Sequence, residues 1–191
     1  MRRLREFTVC VCLLAGSGAG ADPLDTLAEK TSLSGTFTQV ILSPEGAVLE
    51  QAEGLFQLLR PHYFWWQIEK PDQQLLIAVD DELTQIDWDL EVMTRRAFTP
   101  QDRTVLQWLL SSREDIESAF SVEADQQAAV LIARDGNAPV TQLKIEHLPD
   151  EALWRLTMTD RGEQVIAVTL VEDAGRELRP TDFTPPAIDF E

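Results

Sequence analysis

The chain has 191 residues, 44% of them apolar, and a formal net charge of −17. That apolar content suits one domain with a substantial core and is too high for a disordered acidic chain. The acidity repels phosphates and anionic lipid surfaces, which argues against nucleic-acid binding and against a lasting seat on a membrane.

Residues 1–21 read as a processing segment. Arg2, Arg3 and Arg5 form a positive start, Phe7 to Ala15 is an apolar stretch too short to span a bilayer, and Ala19-Gly20-Ala21 has the small-x-small pattern of a cleavage site. The expected mature chain therefore begins at Asp22 and forms a single domain over 22–191. It keeps 13 basic and 32 acidic side chains, a net charge of −19. Cys10 and Cys12 leave with the segment, so no disulfide, thiolate nucleophile or cysteine metal site is expected. Neither cysteine follows a Leu-rich lipoprotein box, and an exported, monomeric chain without a lipid of its own is expected.

Asp22-Pro23 places a capping acid before a proline at the first helical position. Leu24, Leu27 and Ala28 give this short helix, which ends before Gly35, one apolar face. Period-two runs then predict strands: Phe64, Trp66 and Ile68; Ile86, Trp88 and Leu90; Leu143 and Ile145; Trp154, Leu156 and Met158; and Ile166, Val168 and Leu170. Turn chemistry separates the strands at Ser43-Pro44-Glu45-Gly46, Asp135-Gly136-Asn137, Pro149-Asp150 and Asp160-Arg161-Gly162. One stretch breaks the period. Thr99-Pro100-Gln101-Asp102 predicts a helix start, followed by Val105, Leu106, Trp108, Leu109 and Leu110. Ser112 and Asp115 predict a second start, with Ile116 and Ala119 behind it. The expected plan is α+β: an antiparallel meander curled into a barrel or half-barrel, with about three short helices over one face.

Few groups for catalysis converge. His62 and His147 are the two histidines, and neither has a partner at metal-ligand or triad-like spacing. No phosphate-cradling loop, calcium loop or zinc helix appears, so no catalytic residue, metal or cofactor is expected. Five tryptophans, eight phenylalanines and the Val105–Leu110 cluster exceed what a plain solvated sheet needs. A curled sheet capped by helices can enclose either a packed core or a ligand cavity, and both remain open on these patterns.

Arg60-Pro61-His62-Tyr63-Phe64-Trp65-Trp66, followed by Pro71-Asp72, resembles the Arg-Pro-x-x-Phe-x-Trp…Pro-Asp segment of the periplasmic outer-membrane lipoprotein carriers, the LolA family. The resemblance continues through Leu27, Phe37 and Gln39, Gly54, and Asp87, Asp89, Leu90 and Glu91. It ends with Asp160, Gly162 and Gln164, then Phe183-Thr184-Pro185-Pro186 with Ile188-Asp189. Ile86 replaces a family tyrosine. Where relatives have Asp-Gly before Leu-Trp, this chain has Asp80-Asp81-Glu82-Leu83-Thr84, and it stops five residues after Pro186.

The resemblance implies an incomplete, unclosed antiparallel β-barrel with a lid of short α-helices over an apolar cavity. It implies a lid-latching role for Arg60. The acyl-chain cavity is expected at Phe64, Trp66, Ile77 and Ile86 on the sheet and Leu106, Leu109 and Leu110 on the lid. The implied function is non-enzymatic: carrying the acyl chains of lipoproteins through the periplasm, without a cofactor. The implied partners are an inner-membrane ABC-type lipoprotein release complex and an outer-membrane lipoprotein receptor. Thr84 and the altered turn motivate a second reading, a carrier or sensor of another lipid or glycolipid on the same scaffold.

Overall fold

A computed structural model describes residues 21–97, 111–173, 175–188 and 190. Helix α1 (Pro23–Glu29) comes first, with Asp25 N–H donating to Asp22 Oδ1 at 2.9 Å and proline opening the first turn. Six strands follow: β1 (Ser32–Leu42), β2 (Val48–Leu59), β3 (Tyr63–Lys70), β4 (Gln74–Val79), β5 (Glu82–Asp87) and β6 (Val92–Ala97). Helix α2 (Arg113–Ala119) is capped by Ser112, whose Oγ accepts from Asp115 N–H at 3.1 Å. The chain then adds β7 (Phe120–Ala124), β8 (Ala128–Ala133), β9 (Val140–Leu148), β10 (Leu153–Asp160) and β11 (Val165–Glu172). A 3₁₀ turn at Pro180–Phe183 lies in the closing segment. The expected helix over Thr99–Leu110 lies outside the described residues.

Among the described residues, eleven strands form one antiparallel sheet in the order β6-β5-β4-β3-β2-β1-β11-β10-β9-β8-β7, with β6 and β7 at its two edges and the barrel unclosed. The sheet curls. Four strand spacings of about 4.8 Å separate β2 from β9. Yet α1, only seven residues long, packs on β8 and β9 while its last carbonyls reach Arg60 at the end of β2. Register shifts at Ile41/Leu42, Glu53/Gly54 and Thr159/Asp160 lie toward the end of the sheet away from Arg60, where the extra residues increase bend and twist.

The predicted turns fall where their chemistry requires. Gly46, at φ 83°, donates its N–H to Ser43 O at 2.9 Å and closes the β1–β2 hairpin. The β4–β5 turn is made with Asp80 at φ 51°, a left-handed conformation that a short polar side chain tolerates. One expected strand is shorter than its pattern. Alternation through Trp88 and Leu90 predicted strand, but β5 stops at Asp87. Asp87 Oδ1 accepts the N–H groups of Asp89 and Leu90, at 3.1 and 2.9 Å, and turns the chain into β6. Local side-chain bonding overrides the period there, and Leu90 is left 72% exposed.

Candidate functional site: the concave face and its fastening

Register sorts the apolar residues onto two faces. Phe64 stands beside Leu58 and Ala78, and Trp66 beside Phe56 and Leu76. Continuing across the sheet, this face collects Phe37, Leu143, Ile145, Trp154, Leu156, Val168 and Leu170 into one core cluster. It is the concave face, because Leu24 and Leu27 of α1 and Ile116 of α2 are buried in the same cluster. Phe64 is 1% exposed and Trp66 6%.

Ile77 and Ile86 do not belong there, contrary to the expectation that they share a face with Phe64 and Trp66. Ile77 pairs with Trp65 and Thr84, and Ile86 with Leu75 and Met93. These positions alternate with Phe64 and Trp66 across the pleat, so they point to the convex side. There Leu75, Ile77 and Ile86 form a second cluster, covered in part by Ile188 and Phe190 of the closing segment. Phe183 extends that cover, its ring 5.3 Å from that of Tyr63. Leu106, Leu109 and Leu110 lie outside the described residues.

Arg60 follows β2 directly, at the rim where α1 ends. Its Nε donates to Lys30 O at 3.0 Å, one terminal nitrogen donates to Leu27 O at 3.3 Å, and the other to Ser111 O at 3.5 Å. The last carbonyls of a helix lack intrahelical partners and carry partial negative charge. A guanidinium with a rigid fork of donors suits them, and it also reaches the residue before the cap of α2. Burial lowers the pKa of Arg60 below the usual guanidinium value. One side chain thus joins the sheet rim to both described helices.

Two further ion-pair systems fasten α1. Lys30 Nζ lies 2.6 Å from Glu172 Oε1 on β11. Glu172 also accepts the indole N–H of Trp154 at 3.5 Å, and Trp154 stacks on His147 with centroids 3.9 Å apart. At the other end of α1, Arg113 of α2 meets Asp22 at 3.0 Å and Asp25 at 2.5 Å, and Glu117 on its own helix at 2.8 Å. Glu117 and Asp22, with a smaller contribution from Asp25, hold its pKa above the ordinary guanidinium value. Sequence reading missed Arg113. Its only local signal was the i,i+4 spacing to Glu117.

The arrangement can shelter apolar surface under a helical cover that buries Leu24, Leu27 and Ile116 and is fastened at both ends of α1 by charged side chains. The family model for the outer membrane lipoprotein carrier protein LolA matches residues 28–185 of this chain. An outer-membrane lipoprotein carrier protein from Methylibium petroleiphilum is 30% identical over 206 residues, covering 98% of this chain and 97% of its own length. One of the same description from Chromohalobacter salexigens is 30% identical over 159 residues, covering 82% of this chain and 71% of its own. Over 79 residues, 39% of each chain, the Aliivibrio fischeri protein so described reaches 40% identity. A LolA superfamily structure from Nitrosomonas europaea aligns over 85% of this chain and 97% of its own, with 10% identity and a TM-score of 0.45.

Proposed function

The chain belongs to the LolA family of outer-membrane lipoprotein carrier proteins, and on that footing we propose that it carries lipoproteins by sheltering their acyl chains beneath α1 and α2. The observation that carries this reading is the concave apolar face, covered by two short helices and tied to the sheet rim through Arg60.

The physical demand on such a carrier is large. Burial of a methylene is worth about 0.8 kcal/mol, so several long acyl chains leaving a bilayer face a cost on the order of tens of kcal/mol in water. The carrier has to cover most of that surface and then give it up. Phe64, Trp66, Phe37 and their neighbours offer a surface of the right chemistry. The cover closes on Leu24, Leu27 and Ile116 when empty and lifts to admit cargo. Carbonyl hydrogen bonds suit a reversible closure, because on opening water takes over donor and acceptor, leaving a net cost of about 1.5–3 kcal/mol for a charged donor.

The setting follows from the same reading. Residues 1–21 are removed on export, and the chain works in the periplasm as a monomer. It receives cargo from an inner-membrane ABC-type release complex and passes it to an outer-membrane receptor. A net charge of −19 after processing keeps it from settling on either anionic membrane surface on the way.

The test is release of a radiolabelled lipoprotein from inner-membrane vesicles into the soluble fraction by the purified protein. Mass spectrometry of what co-purifies from the periplasm accompanies it. Soluble one-to-one complexes containing triacylated protein support the reading. Free phospholipid or glycolipid as the bound species, with lipoproteins left in the vesicles, overturns it.

A further inference from the structure

We propose that Arg113 is a positioning residue of the cover, a charge clasp that holds α1 and α2 together as one body. The clasp acts at the opposite end of α1 from Arg60. This rests on the carrier reading for its purpose but not for its test.

A cation in the first turn of a helix lies against the helix dipole, and α2 begins with Arg113. Placed for its own helix, such a residue would be an acid. Its position makes sense across the gap, where the first turn of α1 supplies two carboxylates. Asp22 divides its oxygens between two tasks: Oδ1 accepts from Asp25 N–H at 2.9 Å, and Oδ2 accepts from Arg113 at 3.0 Å. Asp25 binds the same terminal nitrogen, and Glu117 takes Nε at 2.8 Å. The acids of α1 lie 91 and 88 residues away along the chain, so this contact is tertiary. Below it, Leu24, Leu27 and Ile116 meet in the core cluster. Arg60 fastens the helices to the rim of the sheet; Arg113 fastens them to each other.

The attachment is half open to water. The Arg113 side chain is 34% exposed, Asp25 48% and Glu117 49%. An isolated exposed pair contributes little, but three carboxylates on one guanidinium form a network, and salt screens it. Loosening the clasp separates the two helices over Ile116 and leaves the convex face untouched. That difference makes the proposal measurable.

The experiment uses the chain without residues 1–21, which has no cysteine, and introduces one thiol at a time. Ile116→Cys places it under the cover, where the native side chain is 3% exposed. Ile86→Cys places it on the convex face, at 0%. The rate of labelling by a water-soluble maleimide is followed from low to high salt. With Arg113→Gln, labelling at position 116 should quicken several-fold, on the order of three- to thirtyfold for a network of such pairs, while labelling at position 86 stays unchanged. Salt should speed labelling at 116 with Arg113 present and have little further effect in Arg113→Gln. Arg113→Lys, which keeps the charge, should restore slow labelling and its salt dependence in large part. Equal acceleration at 116 and 86 would mean that Arg113 only stabilises the fold, and it overturns the proposal. So does an unchanged rate at 116. If these rates respond as expected but no lipoprotein is taken up from membranes, the clasp stands and the carrier reading falls.

Discussion

Phe37 and Trp66 stack with ring centroids 3.5 Å apart, although β2 lies between their strands. The gap is bridged over Gly54, which faces Phe37 across the β1–β2 ladder. A β-carbon on Gly54 would lie 3.0 Å from the Phe37 ring and 1.9 Å from the backbone oxygen of Gln67. The Gln67 backbone thus blocks the space a side chain would take, and the Phe37 ring closes in on it beside that backbone. Gly54→Ala should cost about 3 kcal/mol, the upper end for overpacking. Urea unfolding of the purified variant measures it. A loss below about 0.5 kcal/mol would mean that the ladder opens there without strain.

Charge placed on the two faces of β3 and β4 should have different consequences. Phe64→Glu puts a carboxylate on the concave face, where acyl chains would lie. A cavity that hydrates when empty tolerates the carboxylate better than cargo does. Ile77→Glu puts the charge beneath the closing segment, where no ligand is expected and desolvation costs several kcal/mol. The expected result is a folded Phe64→Glu protein that fails to release lipoprotein from vesicles, beside an Ile77→Glu protein that unfolds at lower urea but transfers normally while folded. If Phe64→Glu loses stability as far as Ile77→Glu does, the concave face is a sealed core.

Arg60→Leu removes donors to Leu27 O, Lys30 O and Ser111 O together. A hydrogen bond from a charged donor contributes roughly 1.5–3 kcal/mol, so the closed form should lose about ten- to a hundredfold in population. Faster uptake of an environment-sensitive apolar dye is the readout. Onward delivery to the outer membrane should slow, because a cover that no longer recloses stops displacing its cargo. Unchanged dye uptake would make Arg60 an ordinary cation at a strand end.

His147 carries a pH signature. Burial against Trp154 lowers its pKa, and nearby Lys30 adds to this, while Glu172 opposes both. The unfolded chain then takes up the proton first, near pH 6.5, and the folded one at lower pH. Stability from this group is complete above pH 6.5 and is lost as pH falls through the interval down to the depressed folded value. Urea midpoints at pH 8 and pH 5.5 should differ more in the native protein than in His147→Gln. Equal differences would remove His147 from the balance.

Processing after Ala21 should leave α1 intact, since its cap uses the side chain of Asp22 and not the preceding backbone. N-terminal sequencing of the periplasmic form is expected to begin at Asp22. A start beyond Asp22 would cost the cap, about 1 kcal/mol, and one of the acids that bind Arg113.

Alternation along single strands was legible in the sequence, and so were the caps and turns, because each depends on residues within a few positions of one another. Asp22-Pro23, Ser112 with Asp115, Ser43 to Gly46 and Asp160 to Gly162 all signalled their local structure by chemistry that needs no distant partner. The run Phe64, Trp66, Ile68 placed those three on one face of β3. It could not place Ile77 and Ile86 relative to them, because a shared face between strands depends on register, and a shift of one residue exchanges the two sides. The pairing of Trp65 with Ile77 decided it, and with it which apolar residues face the helices. Arg60 stood out through its resemblance, but its acceptors are backbone carbonyls, which no residue type announces. Arg113 had no distinguishing pattern, since one arginine among so many acids finds its partners only when α1 and α2 come to lie side by side over the curled sheet.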